Sequence, residues 1–150
     1  MIPPCDSDSG NLPPGIYEAT WGEILVRFGS TPHRLLLLSG LKAALDTLRQ
    51  AGCVRAYLDG SFVTAKHMPN DFDVCWEMAG VDFDLLVDSG PVLLDWSHRR
   101  AAQRAIFRGE LFIAEAVADP WGTPYLEFFQ YDRKSGDPKG IVAINLGDLP

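Results

Sequence analysis

The sequence predicts an α/β (α+β) fold in which helices pack against one mixed β-sheet. Leucines repeat at three- and four-residue steps after Thr31, which is typical of an amphipathic helix. Short apolar runs at 54–58 and 72–76 are bounded by glycine, proline and asparagine, which is typical of strands. The chain has 150 residues and no internal repeat, so we expect these segments to form a single domain.

Residues 1–14 predict a flexible arm in front of this domain. They include four prolines and several small polar residues, a composition that does not supply a core. They also lack the basic segment and apolar stretch of a secretory signal. The folded domain is therefore expected over residues 15–150.

Two helices are expected before the first strand. Thr20 and Glu23 have the spacing of a capping box, and they begin a short helix that ends at Gly29. A threonine and a proline at 31–32 begin a second, longer helix that ends at Gly52.

The strands at 54–58 and 72–76 follow, with a Gly60-Ser61 turn between them. Residues 81–95 fit either a helix or a strand. The later elements are expected in the order helix, strand, helix and strand, over residues 97–107, 111–116, 123–131 and 141–144.

Composition narrows the classes of function. The chain carries 20 acidic and 13 basic residues, a net charge of −7, so it lacks the broad positive field of a non-specific DNA-binding protein. A local basic patch is still compatible with RNA or nucleotide binding. The longest apolar run is four leucines, far short of a membrane span. Three widely spaced cysteines indicate neither a disulfide framework nor a zinc site, which favours a reducing, cytoplasmic setting.

The pattern richest in chemistry lies between Gly60 and Asp73. If Asp71, Phe72 and Asp73 are extended, both carboxylates lie on one face of the strand and repel each other. A divalent cation relieves such repulsion, and a Gly-Ser turn can hold phosphate through its backbone N–H groups. The alternative is that Asp71 belongs to a solvated turn after Asn70. Two carboxylates that bind a divalent cation, next to a turn that holds phosphate, predict metal-dependent phosphoryl chemistry.

A strand ending in Gly60-Ser61, followed by Asp71 and Asp73 on the next strand, resembles the nucleotidyltransferase superfamily, which has the polymerase-beta-type fold. The tail at 128–142 resembles a small bacterial and phage branch that includes minimal nucleotidyltransferases of toxin–antitoxin systems. The resemblance implies that Gly60 and Ser61 bind the triphosphate of an NTP such as ATP. It also implies that carboxylates hold two Mg²⁺ ions, or Mn²⁺ in their place.

The resemblance further implies a third carboxylate on the strand after the intervening helix. Glu115 is the expected residue, with Glu110, at the edge of that strand, as the second choice. Lys66 is expected to contact the phosphates, although a solvated lysine is equally compatible with its position. His67 lies in the loop before the carboxylates and is a weaker candidate for a substrate contact.

Four arginines at 99, 100, 104 and 108 are expected along one face of the helix at 97–107. Such a face is usually solvated, and a contact with nucleotide or RNA phosphate is the alternative.

The function expected from the resemblance is transfer of an NMP from an NTP to a hydroxyl of a protein, RNA or small-molecule acceptor. The short chain implies that the acceptor is a partner protein or RNA, or that a homo-oligomer completes the site. A toxin–antitoxin or phage-defence module fits this size. The alternative is a catalytically weakened relative that acts by binding, as an antitoxin or regulatory partner. The position of the third carboxylate separates the two.

Overall fold

The computed structural model describes residues 1–150, which form five strands and five helices. The strands are β1 (Gly15–Glu18), β2 (Arg55–Asp59), β3 (Phe72–Trp76), β4 (Gly109–Ile113) and β5 (Gly140–Asn145). The helices are α1 (Trp21–Phe28), α2 (Pro32–Gln50), α3 (Phe83–Ser89), α4 (Ser97–Phe107) and α5 (Tyr125–Phe128). The predicted α/β class with one mixed sheet in a single domain is confirmed. None of the helices is both long and apolar enough to cross a bilayer.

The sheet has the strand order β1-β5-β2-β3-β4. β2 runs antiparallel to both of its neighbours, β3 and β5. β3 and β4 are parallel, and so are β1 and β5. Because β3 and β4 are parallel, the chain between them must cross from one end of the sheet to the other, and α3 and α4 form this crossover.

Helices α1 to α4 cover one face of the sheet and enclose the larger core. Leu41, Leu45 and Leu48 of α2 are fully buried there against Leu58 and Val74 of the strands. The opposite face carries a smaller cluster under α5 and the residue after it, made of Tyr57, Cys75, Phe112, Ala114, Phe129, Ile141 and Ala143. Only a short segment therefore covers the second face of the sheet, and one end of this face is left uncovered.

The first two helices have the ends that the sequence predicts. Thr20 and Glu23 form the capping box of α1, and Thr31 caps α2 with Pro32 in its first turn. β3 spans the predicted residues 72–76, and the ambiguous stretch at 81–95 contains α3. β1 was not predicted, because its four residues form a mostly exposed edge strand without an apolar alternation.

The start of α4 departs from the expected continuous helix. His98, Arg99 and Arg100 have φ values of 52°, 54° and 59°, in the left-handed region that L-residues rarely adopt. The predicted face shared by four arginines is thus wrong for Arg99 and Arg100, and also for Arg108, which follows the last residue of α4 with φ 68°. Arg100 is held out of the helix by two contacts, since its Nε donates to the Leu111 carbonyl at 3.2 Å and its guanidinium lies 3.8 Å from the Phe112 ring centroid.

The N-terminal arm contains no helix or strand, and part of it packs on the domain. Leu12 is 2% exposed and belongs to the larger core. Its carbonyl accepts a hydrogen bond from the Gly140 N–H, and the Gly10 carbonyl accepts one from Ala65. The arm therefore reaches the loop that follows β2 and the start of β5.

Candidate functional site

Three carboxylates occupy adjacent positions on three neighbouring strands. Asp59, the last residue of β2, lies opposite Asp73 of β3, and Asp73 lies beside Glu110 of β4. Neighbouring strands are about 4.8 Å apart, so one side chain follows the next across the sheet. We call Asp59, Asp73 and Glu110 the carboxylate row.

All three members of the carboxylate row lie on the face of the smaller cluster. Phe72 and Val74, which flank Asp73 in β3, belong to the larger core, so Asp73 points to the other face. The next row inward consists of Tyr57, Cys75 and Phe112, which are buried under α5. The carboxylate row therefore lies where the cover of this face ends.

Burial and mutual repulsion perturb the acids at this edge. Burial, followed by the charges of Asp71, Asp59 and Glu110, raises the pKa of Asp73 to about 7. Burial and Glu110 also raise the pKa of Asp71, while Arg104 and Lys66 oppose that rise. The charged forms of carboxylates perturbed in this way would be stabilised by a nearby positive charge.

Asp59 already has a cation within the chain. Its carboxylate forms a largely buried ion pair with the Lys139 ammonium. Burial raises the pKa of Asp59, and Lys139 opposes that effect. Asp71 and Asp73, by contrast, form no ion pair within the chain.

A first cavity of about 480 Å³ opens on one side of the carboxylate row. The predicted phosphate-binding residues Gly60, Ser61 and Lys66 all line it, together with Asp73. Gly60 is followed by a single 3-10 turn, Ser61–Val63. The other basic residues that line the first cavity are Arg133, Lys134 and Lys139, from the loop at 131–139.

A second cavity of about 680 Å³ lies on the other side. Asp71 and Glu110 line it, and Arg99, Arg100, Arg104 and Arg133 surround them. Arg104 forms an ion pair with Glu110 at 3.1 Å. Arg133 and Phe128 line both cavities, so the two are neighbours with the carboxylates between them.

The structure does not place Glu115 with the other acids, and that expectation is wrong. β4 begins at Gly109 and ends at Ile113, so Glu115 lies beyond the far end of the strand. Both of its carboxylate oxygens accept from the Met78 N–H, at 3.2 and 3.3 Å, past the far end of β3. Glu110 stands beside Asp73, because the parallel strands β3 and β4 begin at the same edge of the sheet.

The remaining candidates are less central. His67 lines neither of the two cavities. No group of three His, Cys, Asp or Glu side chains is arranged to hold a metal ion in the ligand-free chain. Ion pairs with Lys139 and Arg104 engage two of the three members of the carboxylate row.

A comparison with protein families matches residues 3–145 to a family described as "Family of unknown function (DUF6932)". The chain belongs to this family. The match includes the whole sheet, the carboxylate row and both cavities, so the site is part of the DUF6932 domain. No match was found among curated proteins or among solved structures.

Sequence reasoning missed the residue that holds the Gly60-Ser61 segment of this DUF6932 domain in place. Arg34, 5% exposed in the first turn of α2, donates to the carbonyls of Phe62, Thr64 and Lys66 at 2.7, 3.3 and 2.5 Å. A signal was present, since an arginine in the first turn of a helix opposes the helix dipole unless it has partners elsewhere.

Sequence reasoning also missed Arg133 and Lys134 in the cationic loop at 131–139. Asp132 holds its turn through the N–H groups of Lys134 and Ser135, and accepts from the Asn11 amide at 2.8 Å. These hydrogen bonds lower the pKa of Asp132 to about 2. The arm thus fixes the loop that carries Arg133 to the two cavities.

We expect a Gly60→Ala substitution to damage this site beyond its effect on the backbone. Gly60 has φ +83°, and an added Cβ would lie 2.9 Å from Asp73 Oδ2 and 3.2 Å from Asp73 N. Gly122 has the same φ with nothing within 4 Å, so Gly122→Ala carries the backbone cost alone, about 1 kcal/mol.

Urea unfolding compares the two positions. Gly60→Ala should lose about 1–2 kcal/mol more stability than Gly122→Ala, because Gly60 also has ψ −173°, in a region essentially restricted to glycine, and because the crowded Asp73 must shift. Equal losses would mean that the close approach of Gly60 to Asp73 has no energetic importance.

Proposed function

We propose that this protein is a magnesium-dependent nucleotidyltransferase that moves an NMP from an NTP to a hydroxyl of an acceptor. One observation carries the proposal: Asp71, Asp73 and Glu110 lie between two cation-lined cavities, and the first of these begins at the Gly60-Ser61 turn. The resemblance to the nucleotidyltransferase superfamily in the order of these residues points in the same direction.

The donor chemistry of the site suits Mg²⁺, and Mn²⁺ as its substitute. Both are hard cations that prefer carboxylate oxygen. The pKa of Asp73, raised to about 7 by burial and neighbouring acids, marks a place where added positive charge is favourable. Asp71, Asp73 and Glu110 would hold the ions. A bound divalent cation supplies charge neutralisation for the transferred phosphoryl group.

The first cavity suits the triphosphate of the NTP. Gly60 and Ser61 line it, and a turn of this kind can present backbone N–H groups to a phosphate. Lys66, Arg133 and Lys134 line the same cavity and supply positive charge. These residues would bind and orient the phosphates, so that the α-phosphorus faces the second cavity.

The acceptor hydroxyl would then approach from the second cavity. Its oxygen forms the new bond to the α-phosphorus, the bond between the α-phosphorus and the bridging oxygen breaks, and pyrophosphate leaves. Glu110, which lines this cavity, would take the hydroxyl proton.

The three cysteines are free, which suits the reducing cytoplasm in which a toxin–antitoxin or phage-defence module would act.

Glu110 and Glu115 form a matched pair for testing the proposal. Isothermal titration calorimetry with each NTP and Mg²⁺, together with transfer of a labelled NMP, is compared in wild type, Glu110→Gln and Glu115→Gln. We expect Glu110→Gln to lose at least about 100-fold in transfer, because a metal ligand and proton acceptor is removed. Glu115→Gln should keep transfer within about twofold, since Glu115 lies beyond the other end of the sheet.

Three results would count against the enzyme. Equal effects of the two substitutions would remove Glu110 from the site. Mg²⁺-dependent NTP binding without transfer to any acceptor would favour the weakened, binding-only relative. Absence of NTP binding would reject both functions.

A further inference from the structure

We propose that the acceptor is the 3′ end of a single-stranded oligonucleotide, bound along a track of four arginines beside the carboxylates. The inference rests on the proposed transferase function and names its acceptor. The arginine track consists of Arg99, Arg100, Arg104 and Arg108.

The charge of the second cavity is opposite to that of the whole chain. The chain has 20 acidic and 13 basic residues. In this cavity, however, two carboxylates, Asp71 and Glu110, are surrounded by three arginines of the track, Arg99, Arg100 and Arg104, and by Arg133. The excess positive charge lies beside the acids proposed to activate the hydroxyl. A concave cationic surface at that place selects an acceptor that carries negative charge close to its reacting end.

The track continues beyond the second cavity. A third cavity, of about 270 Å³, shares Asp71 and Arg104 with the second and adds Arg108 and Asn70. Positive charge thus extends along the outside of Asp71 over two adjoining cavities. A single phosphate needs only one of them, whereas a chain of phosphates can follow both.

The arginines are available for an anion and partly held in position. Arg99 and Arg108 are exposed and form no ion pair within the chain. Arg100 is fixed by the Leu111 carbonyl and the Phe112 ring. The left-handed backbone at 98–100 is costly, and strained backbone of this kind is concentrated at binding sites. Guanidinium groups are especially suited to phosphate because they donate two parallel hydrogen bonds.

The lining of the second cavity also favours a nucleic acid over an acidic protein segment. Tyr125 and Phe128 line it with partly exposed rings. Aromatic rings beside a cationic groove are the usual platform on which unpaired bases stack. A concave site admits a strand end, and the convex side of a duplex does not enter it.

The test measures binding by fluorescence anisotropy, in EDTA and without NTP. The probes are a single-stranded 12-nucleotide RNA labelled with 5′-fluorescein and a single-stranded DNA of the same sequence and label. The Arg99→Gln/Arg108→Gln double variant should bind about tenfold more weakly than wild type, with the slope of log K against log salt reduced by about 1.4. The control is Arg27→Gln/Arg49→Gln, which removes the same charge from α1 and α2 and should change the affinity less than about twofold. Transfer is then followed by mass spectrometry, with a 3′-deoxy strand that should bind but not gain a nucleotide.

Each other outcome overturns the inference. Equal weakening in both double variants would mean that net charge alone binds the strand. Displacement of the RNA by poly-glutamate at the same charge concentration would favour an acidic protein. If wild type binds NTP with Mg²⁺ but binds no oligonucleotide, the acceptor assignment fails and the transferase stands. If it binds oligonucleotide but no NTP, the transferase fails, and with it the role of the strand as acceptor.

Discussion

Asp73→Asn is expected to stabilise the metal-free protein at pH 8 by on the order of 4 kcal/mol. The wild-type carboxylate is largely buried beside Asp71, Asp59 and Glu110, and its pKa is raised to about 7. Asparagine has nearly the shape of the protonated acid and carries no charge. The substitution therefore removes a repulsion that the folded chain otherwise bears at high pH.

The sign of the pH dependence follows from the direction of the shift. The folded pKa of Asp73 lies above its unfolded value of about 3.8, so the folded state holds the proton more tightly. Stability from this group is present below pH 4 and is lost as the pH rises to about 7. The free-energy difference between Asp73→Asn and wild type should therefore grow from near zero at pH 4 to its full value at pH 8.

Urea unfolding in EDTA at pH 4, 6 and 8 measures this difference. Asp88→Asn, an exposed acid on α3, removes the same charge and should show no comparable growth with pH. A constant difference between Asp73→Asn and wild type would refute the proposed repulsion. Mg²⁺ at pH 8 should raise the Tm of wild type and leave that of Asp73→Asn unchanged, because the carboxylate that destabilises the metal-free protein is one of those proposed to bind the ion.

The sequence is sufficient to predict those elements whose ends are set by local chemistry. The capping box at Thr20 and the proline in the first turn of α2 fix helix starts within a few residues, and both predictions are confirmed. The period-2 rule also gives the face of Asp73 relative to Phe72. These features depend on neighbours along the chain and not on the rest of the fold.

The third carboxylate depends on strand register, which the sequence does not encode locally. β3 and β4 are separated by the α3 and α4 crossover, so no turn fixes their alignment. A usable rule was available nonetheless. Parallel strands begin at the same edge, so an acid at the start of β3, Asp73, predicts an acid at the start of β4, which is Glu110 and not Glu115. Arg34 was hidden for a similar reason, because its partners are distant in sequence.

Arg34→Met should be among the most destabilising single substitutions in the chain, with a loss of about 3 kcal/mol. The buried guanidinium donates to the carbonyls of Phe62, Thr64 and Lys66, and these would be left without partners. It also lies 5.0 Å from the Phe62 ring centroid. Because these contacts hold the segment after Gly60, hydrogen exchange at residues 61–70 should accelerate more than exchange in β5.

Two further variants make the Arg34 prediction specific. Arg34→Lys keeps the charge but loses the planar fork, so it should recover about half of the lost stability. Arg49→Met, near the other end of α2, removes a partly exposed arginine that bonds the Leu149 carbonyl and Asp46, and should cost about 1 kcal/mol. Equal losses for Arg34→Met and Arg49→Met, or uniform exchange throughout the chain, would show that Arg34 does not organise the segment after Gly60. If Arg34→Met does not fold, the same exchange comparison is made on Arg34→Lys, where the loop at 61–70 should still be the first region to open.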